Sequence, residues 1–191
     1  YQRRVRGLMG CATSNQIKQT APLVETAKDC PKVDFTANGK YKIPNLQGCQ
    51  KVFQEVDINN DQKLKLEELQ KVFDKLNMKI ALDNIKQIME YMDFNKDQAL
   101  NFDEFYQLTY VICNNGLNDH KLMCFLSHDI NKNGSLELKE VVKIFDKNGI
   151  KTNEENVMEF FELSLKQKNV KFVEFEDFVK AMDQLKEKQP K

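Results

Sequence analysis

The sequence predicts an all-α fold: two paired helix–loop–helix lobes, with short β-pairing between the loops of each pair. Three observations predict it. Twelve-residue stretches rich in Asp and Asn start at Asp57, Asp93 and Asp129, and an altered copy starts at Lys166, so the steps are 36, 36 and 37 residues. A fixed interval of this size means that one supersecondary unit is used four times. Apolar residues flank every stretch at helical spacing, for example Ile85, Ile88, Met89 and Met92 before the second and Phe105, Leu108 and Ile112 after it. No unit can bury such a face alone, so the first pairs with the second and the third with the fourth.

Taken in order, residues 1–44 form a separate zone with Pro22, Pro31 and Pro44 and no sustained helical period, most of it expected to be disordered or loosely docked. Within it Met9-Gly10-Cys11-Ala12-Thr13-Ser14 fits the N-myristoylation pattern. With Met9 as the start and then removed, Gly10 accepts the acyl chain and Cys11 a palmitoyl group, a pair of chains that anchors stably where one does not. An internal glycine is not acylated, so membrane association is expected only under that start.

The first pair is expected over residues 45–112. Asn45 caps a helix whose face is Leu46, Cys49, Val52, Phe53 and Val56, and Leu66, Leu69, Val72, Phe73 and Leu76 follow the first loop. Asp83 is expected to cap the helix that enters the second loop. Cys113-Asn114-Asn115-Gly116 breaks the pattern and marks the boundary, since Asn and Gly tolerate the left-handed backbone that ends a helix. The second pair is expected over 117–186, with Leu122, Phe125 and Leu126 entering the third loop, Gly149 ending the helix that leaves it, and Thr152-Asn153-Glu154-Glu155 as a capping box for the next. Residues 187–191 read as a solvated tail.

The loops carry the chemistry. A hard cation such as Ca²⁺ takes six to eight oxygens, and alternate positions of a tight twelve-residue turn can converge on it, the last carboxylate supplying two at once. The first loop offers Asp57, Asn59, Asp61, the Lys63 carbonyl and Glu68; the second Asp93, Asn95, Asp97, the Ala99 carbonyl and Glu104; the third Asp129, Asn131, Asn133, the Ser135 carbonyl and Glu140. In the fourth, the matching places are Lys166, Lys168 and Val170, two ammonium groups and an apolar side chain that cannot coordinate a cation. That loop is expected to be metal-free and to brace the third.

The three working loops are not equal. The sixth position usually holds Gly because the backbone turns sharply there. Here it holds Gln62, Gln98 and Gly134 in turn. A non-glycine residue at left-handed angles costs on the order of 1–2 kcal/mol, about one decade of affinity. Lys63 and Lys65 further weaken the negative field of the first loop. The third and second loops are therefore expected to bind more tightly than the first.

On these loops the chain resembles the EF-hand superfamily over residues 45–186, in particular the calmodulin-like and calcineurin-B-like four-EF-hand proteins. The resemblance implies up to three bound Ca²⁺ ions with Mg²⁺ competing, a calcium sensor that exposes an apolar groove, and an amphipathic helix of a protein partner as its target. Met78, Met89, Met92, Met123, Met158 and Met182 supply flexible apolar side chains that suit either such a groove or an ordinary core. A calcium buffer and a permanent regulatory subunit of an enzyme are the alternatives.

Totals exclude other classes. Lys plus Arg equals Asp plus Glu at 29 each, which argues against a nucleic-acid partner. Five cysteines without paired metal-type spacing read as free thiols of a reducing cytosol. No Gly-rich phosphate loop or nucleophile elbow occurs, and His120 and His128 are expected in solvated or capping roles, so no enzymatic activity is expected.

Overall fold

The computed structural model describes residues 34–187. The acylation pattern at Gly10 and Cys11 and the tail beyond 187 lie outside them. Eight α-helices and four two-residue strands occur among the described residues. The chain divides into two compact units, one with residues 41–115 and the strand at 34–35, the other with 36–40 and 116–187.

In the first unit, strands β1 (Asp34–Phe35) and β2 (Lys42–Ile43) pair antiparallel. They precede helices α1 (Leu46–Val56), α2 (Leu66–Lys75), α3 (Leu82–Met92) and α4 (Phe102–Cys113). The paired strands give residues 34–43 a defined place at the end of a zone most of which is expected to be disordered or loosely docked. Asn114 holds β2 at both polar groups, its Oδ1 accepting from the Lys42 N–H and its Nδ2 donating to the Lys42 carbonyl, each at 2.8 Å. The Tyr106 hydroxyl donates to the Pro44 carbonyl at 3.0 Å.

Asn45 caps α1 as its chemistry predicts, accepting from the Gly48 N–H at 2.8 Å. Leu46, which spacing put on the inward face, stays 47% exposed at the first helical position. The cap of α3 is Ala81 and not Asp83, which lies inside the first turn, where its charge still complements the helix dipole.

Helix faces meet through the residues that periodicity selected. Phe53, Val56, Leu69, Phe73, Ile85, Ile88, Met92, Phe105 and Leu108 are buried together with Leu64 and Leu100 of the loops. Each large apolar side chain taken out of water contributes about 1.5–3 kcal/mol. Leu64 and Leu100 exchange both backbone hydrogen bonds, at 2.8 and 2.9 Å, forming the expected β-bridge between the two loops.

The second unit repeats the plan. A 3₁₀ turn (Gly116–Asn118) leads to α5 (His120–His128), then β3 (Leu136–Glu137), α6 (Leu138–Lys147), α7 (Glu154–Leu165), β4 (Phe172–Val173) and α8 (Phe175–Glu187). Strands β3 and β4 pair antiparallel, Leu136 opposite Val173. The cap of α7 is Asn153, which accepts from the Asn156 N–H at 2.9 Å. The helix starts one residue later than the capping-box reading required, which puts Asn156 where an acid was needed.

Residues 36–40 belong to this unit. The Asn38 amide donates to the Gly134 carbonyl at 2.7 Å, and the Lys40 ammonium lies 2.7 and 3.1 Å from Glu174 and Glu176.

A shared aromatic trio shows that the fourth repeat keeps the scaffold. Phe53 meets Phe102 and Phe105 at 5.5 Å centroid distances, and Phe125 meets Phe175 and Phe178 at 5.5 and 5.9 Å. These are the same three repeat positions, counted with the fourth loop starting at Lys166.

His128 departs from the sequence expectation. It is 3% exposed, and its Nδ1 lies 2.9 Å from the Cys124 carbonyl and 3.0 Å from the Ser127 hydroxyl. A carbonyl only accepts, so Nδ1 carries the proton. The residue closes the last turn of α5 where the helix is packed on all sides, and burial pushes its pKa down to about 4. No helix among the described residues is long and apolar enough to cross a membrane.

Candidate metal centres

Each of the first three loops is folded by the side chains that were expected to bind an ion. In the first, Asp57 accepts from the Asp61 N–H at 3.2 Å and the Gln62 N–H at 2.9 Å, and Asn59 accepts from Asp61 N–H at 2.9 Å. Asp61 in turn takes the Lys63 N–H at 3.0 Å. Asp93, Asn95 and Asp97 repeat these bonds onto Asp97, Gln98 and Ala99 at 2.8–3.2 Å. Asp129, Asn131 and Asn133 repeat them onto Asn133, Gly134 and Ser135. These bonds fold the alternate side chains back onto the backbone of their own loop.

The closing glutamates share one geometry. Glu68, Glu104 and Glu140 sit in the first turn of the exit helices and are 8%, 5% and 2% exposed. One oxygen of each accepts from the N–H of loop position two (Ile58, Phe94 and Ile130, at 3.1, 2.9 and 3.0 Å). The other accepts from the N–H that caps its own helix (Lys65, Asn101 and Glu137, at 3.0, 3.0 and 2.9 Å). Each carboxylate therefore joins loop to helix at a single point.

The backbone follows the same rule. Positions four and six are left-handed in all three loops: Asn60 and Gln62, Lys96 and Gln98, Lys132 and Gly134. Gln62 and Gln98 thus adopt the conformation whose cost the sequence suggested, at φ 62° and 67°. Gln98→Gly is expected to stabilise the calcium-free protein by about 1 kcal/mol, read as a higher urea midpoint in chelator.

The fourth loop differs. Its left-handed residues are Lys166 and Asn169, at the first and fourth places, and none occurs at the sixth. Val170 is buried, and Lys166 and Lys168 are exposed.

The donor chemistry fits a hard cation. Among the described residues no three His, Cys, Asp or Glu side chains form a ready cluster. The donor sets are instead mixed, each with two or three carboxylates, Asn oxygens and a backbone carbonyl, which is what Ca²⁺ prefers over softer metals. Burial pushes the pKa of Glu140 up, and the charge of Asp129 adds to the effect. A divalent cation between these two carboxylates would relieve both costs.

Lysines modulate the field. The Lys65 ammonium lies 2.9 Å from Asp61 within the first loop, and Lys63 lies 2.9 Å from Asp97 of the second. Hydrogen bonding to those ammonium groups holds the carboxyl pKa of Asp61 and Asp97 down. In the third loop, Lys139 pairs at 2.6 Å with Glu137, at the ninth position. The Lys63–Asp97 contact crosses between loops and could not be read from either loop alone.

Comparison with known proteins agrees with this geometry. Residues 46–110 match the family model of the EF-hand domain pair. Those residues are an EF-hand domain pair. It is 26% identical over 117 residues to the probable calcium-binding protein CML25 of Arabidopsis thaliana, covering 61% of this chain and 61% of that protein. It is 25% identical over 140 residues to calcium-dependent protein kinase 7 of the same plant, covering 73% of this chain but 26% of the kinase. This EF-hand chain thus spans about three fifths and a quarter of the lengths of those relatives. Among solved structures, a homolog of programmed cell death 6 protein from Leishmania major Friedlin matches with 19% identity, 70% and 73% coverage of the two chains and a TM-score of 0.28. The chain is a calcium-binding EF-hand protein.

Proposed function

We propose that this EF-hand protein is a calcium sensor, with no catalytic activity of its own, whose first three loops take ions and whose helix pairs then open an apolar groove for the amphipathic helix of a protein partner. The observation that carries the reading is the place of Glu68, Glu104 and Glu140. Each stands on an exit helix and is bonded to a loop N–H, so a cation that draws the carboxylate inward must re-aim the helix with it.

The side chains that such a movement would uncover are in place. Met78, Met89, Met92 and Met123 are buried, and Met158 and Met182 are half-buried. Thioether side chains adapt to many partner surfaces. Relatives named for calcium dependence fit the same reading.

In this scheme the ligands are Asp57, Asn59, Asp61, the Lys63 carbonyl and Glu68 in the first loop, with the matching sets in the second and third. Up to three Ca²⁺ ions bind, Mg²⁺ competes, and the fourth loop braces the third through the β3–β4 pair. The third and second loops fill before the first.

Calorimetry of the full chain alongside a dye that reports exposed apolar surface tests the proposal. Calcium is expected to bind with heat and raise the dye signal. Ion binding without any dye gain would mean a buffer and would overturn the sensor reading.

A further inference from the structure

We propose that Lys63, a residue of the first loop, sets the calcium affinity of the second, by holding a tethered ammonium on Asp97 that the ion must displace. The inference rests on the reading of the loops as calcium sites.

The geometry is a crossed contact. The Lys63 Nζ lies 2.9 Å from Asp97 Oδ2. The other oxygen of that carboxylate accepts from the Ala99 N–H at 3.1 Å, so a cation at the fifth position meets a carboxylate whose Oδ2 already faces the ammonium. The reach of Lys63 is fixed by the chain. Its neighbour Leu64 is locked to Leu100 by two backbone hydrogen bonds, which brings the seventh place of one loop beside the other loop.

The loop to which Lys63 belongs has its own ammonium. Lys65 Nζ lies 2.9 Å from Asp61 Oδ2, again the fifth position. The third loop has neutral Asn133 there, and its oxygen accepts from the Ser135 N–H and hydroxyl. At the fifth position the two loops of the first pair therefore present a carboxylate already shared with a monovalent cation, and the third, whose Lys139 pairs instead with Glu137 at the ninth, does not.

Calcium entering the second loop exchanges one ion pair for another at Asp97, so its apparent affinity falls by the strength of the first. Lys63 is 46% exposed, so solvent and salt weaken the pair and the effect is a modest one. Its own calcium donor in the first loop is the backbone carbonyl, which a side-chain substitution leaves in place.

The test follows each loop separately in the full-length chain. The amides of Gln62, Gln98 and Gly134 each bond the first Asp of their own loop, at 2.9, 2.8 and 3.0 Å, and serve as reporters in a calcium titration by NMR. Lys63→Gln is expected to tighten the Gln98 transition by about two- to fivefold, with a smaller change at Gln62 and none at Gly134. Lys65→Gln removes the same charge from the same loop and is expected to act mainly at Gln62. High salt should narrow the gap between Lys63→Gln and wild type.

A Lys63→Gln effect at Gln62 equal to or larger than that at Gln98, or no effect at either, overturns the proposal. Reporters that do not respond to calcium in the wild-type protein would defeat the calcium reading itself, a different result from a wild-type response without the crossed pattern.

Discussion

Glu104→Gln is expected to weaken calcium binding at the second loop by on the order of a hundredfold, and to lower stability even in chelator. The substitution changes one atom, yet both oxygens of Glu104 already face donors. Oε1 accepts from the N–H groups of Phe94 and Asn95 at 2.9 and 3.2 Å, and Oε2 from that of Asn101 at 3.0 Å. A glutamine amide has one acceptor, so whichever way it turns, its NH₂ meets an N–H. At 5% exposure little water can replace the lost bond, and the cost is about 1–3 kcal/mol. The ion loses more: one formal charge and one of two oxygens offered together. Glu140→Gln should act in the same way on the third loop. Calorimetry of each variant is expected to lose one high-affinity ion. Glu104→Gln with unchanged stoichiometry and affinity would remove Glu104 from the site.

The repeat was legible because both of its signals are local. Carboxylates and amides at alternate places of a twelve-residue turn, with helical periods on each side, are written in consecutive residues. The structure duly packs Phe53, Phe105, Phe125 and Phe178 inside their pairs. What stayed hidden depends on chain segments meeting across sequence. Lys63 read as a burden on its own loop, whereas its ammonium lies on Asp97, 34 residues on. The bonds that hold β2 and Pro44 come from Asn114 and Tyr106, far along the chain, so residues 34–43 looked structureless by themselves. The cap slipped by two residues at α3, where Ala81 has no side-chain oxygen to mark the start, and by one at α7, where Thr152 and Asn153 offered equivalent oxygens. The burial of His128 could not be read from its flanks, since Ser127 and Asp129 on either side are polar and are buried as well.

That buried histidine makes the second unit sensitive to acid. The folded-state pKa of His128 is depressed to about 4, with burial as the main cause and the charges of Lys147 and Lys143 adding to it. The unfolded chain takes up a proton at its ordinary value near 6.5. Below that pH the unfolded state binds a proton that the native state refuses. Stability is therefore fully present above about pH 6.5 and is lost as pH falls toward the folded value. The loss should reach about 2 kcal/mol between pH 7 and pH 5 and about 3 kcal/mol near pH 4. Glu140 acts with the opposite sign: its pKa is raised by burial, so the native state holds a proton that the unfolded chain has released and gains relative stability as pH falls. The check is urea unfolding in chelator, so that proton competition at the calcium ligands does not enter, with wild type beside His128→Gln. The wild-type slope between pH 7 and pH 5 is expected to be the steeper of the two. An imidazole Cε1–H resonance of His128 that titrates near pH 6.5 in the folded protein would contradict this account.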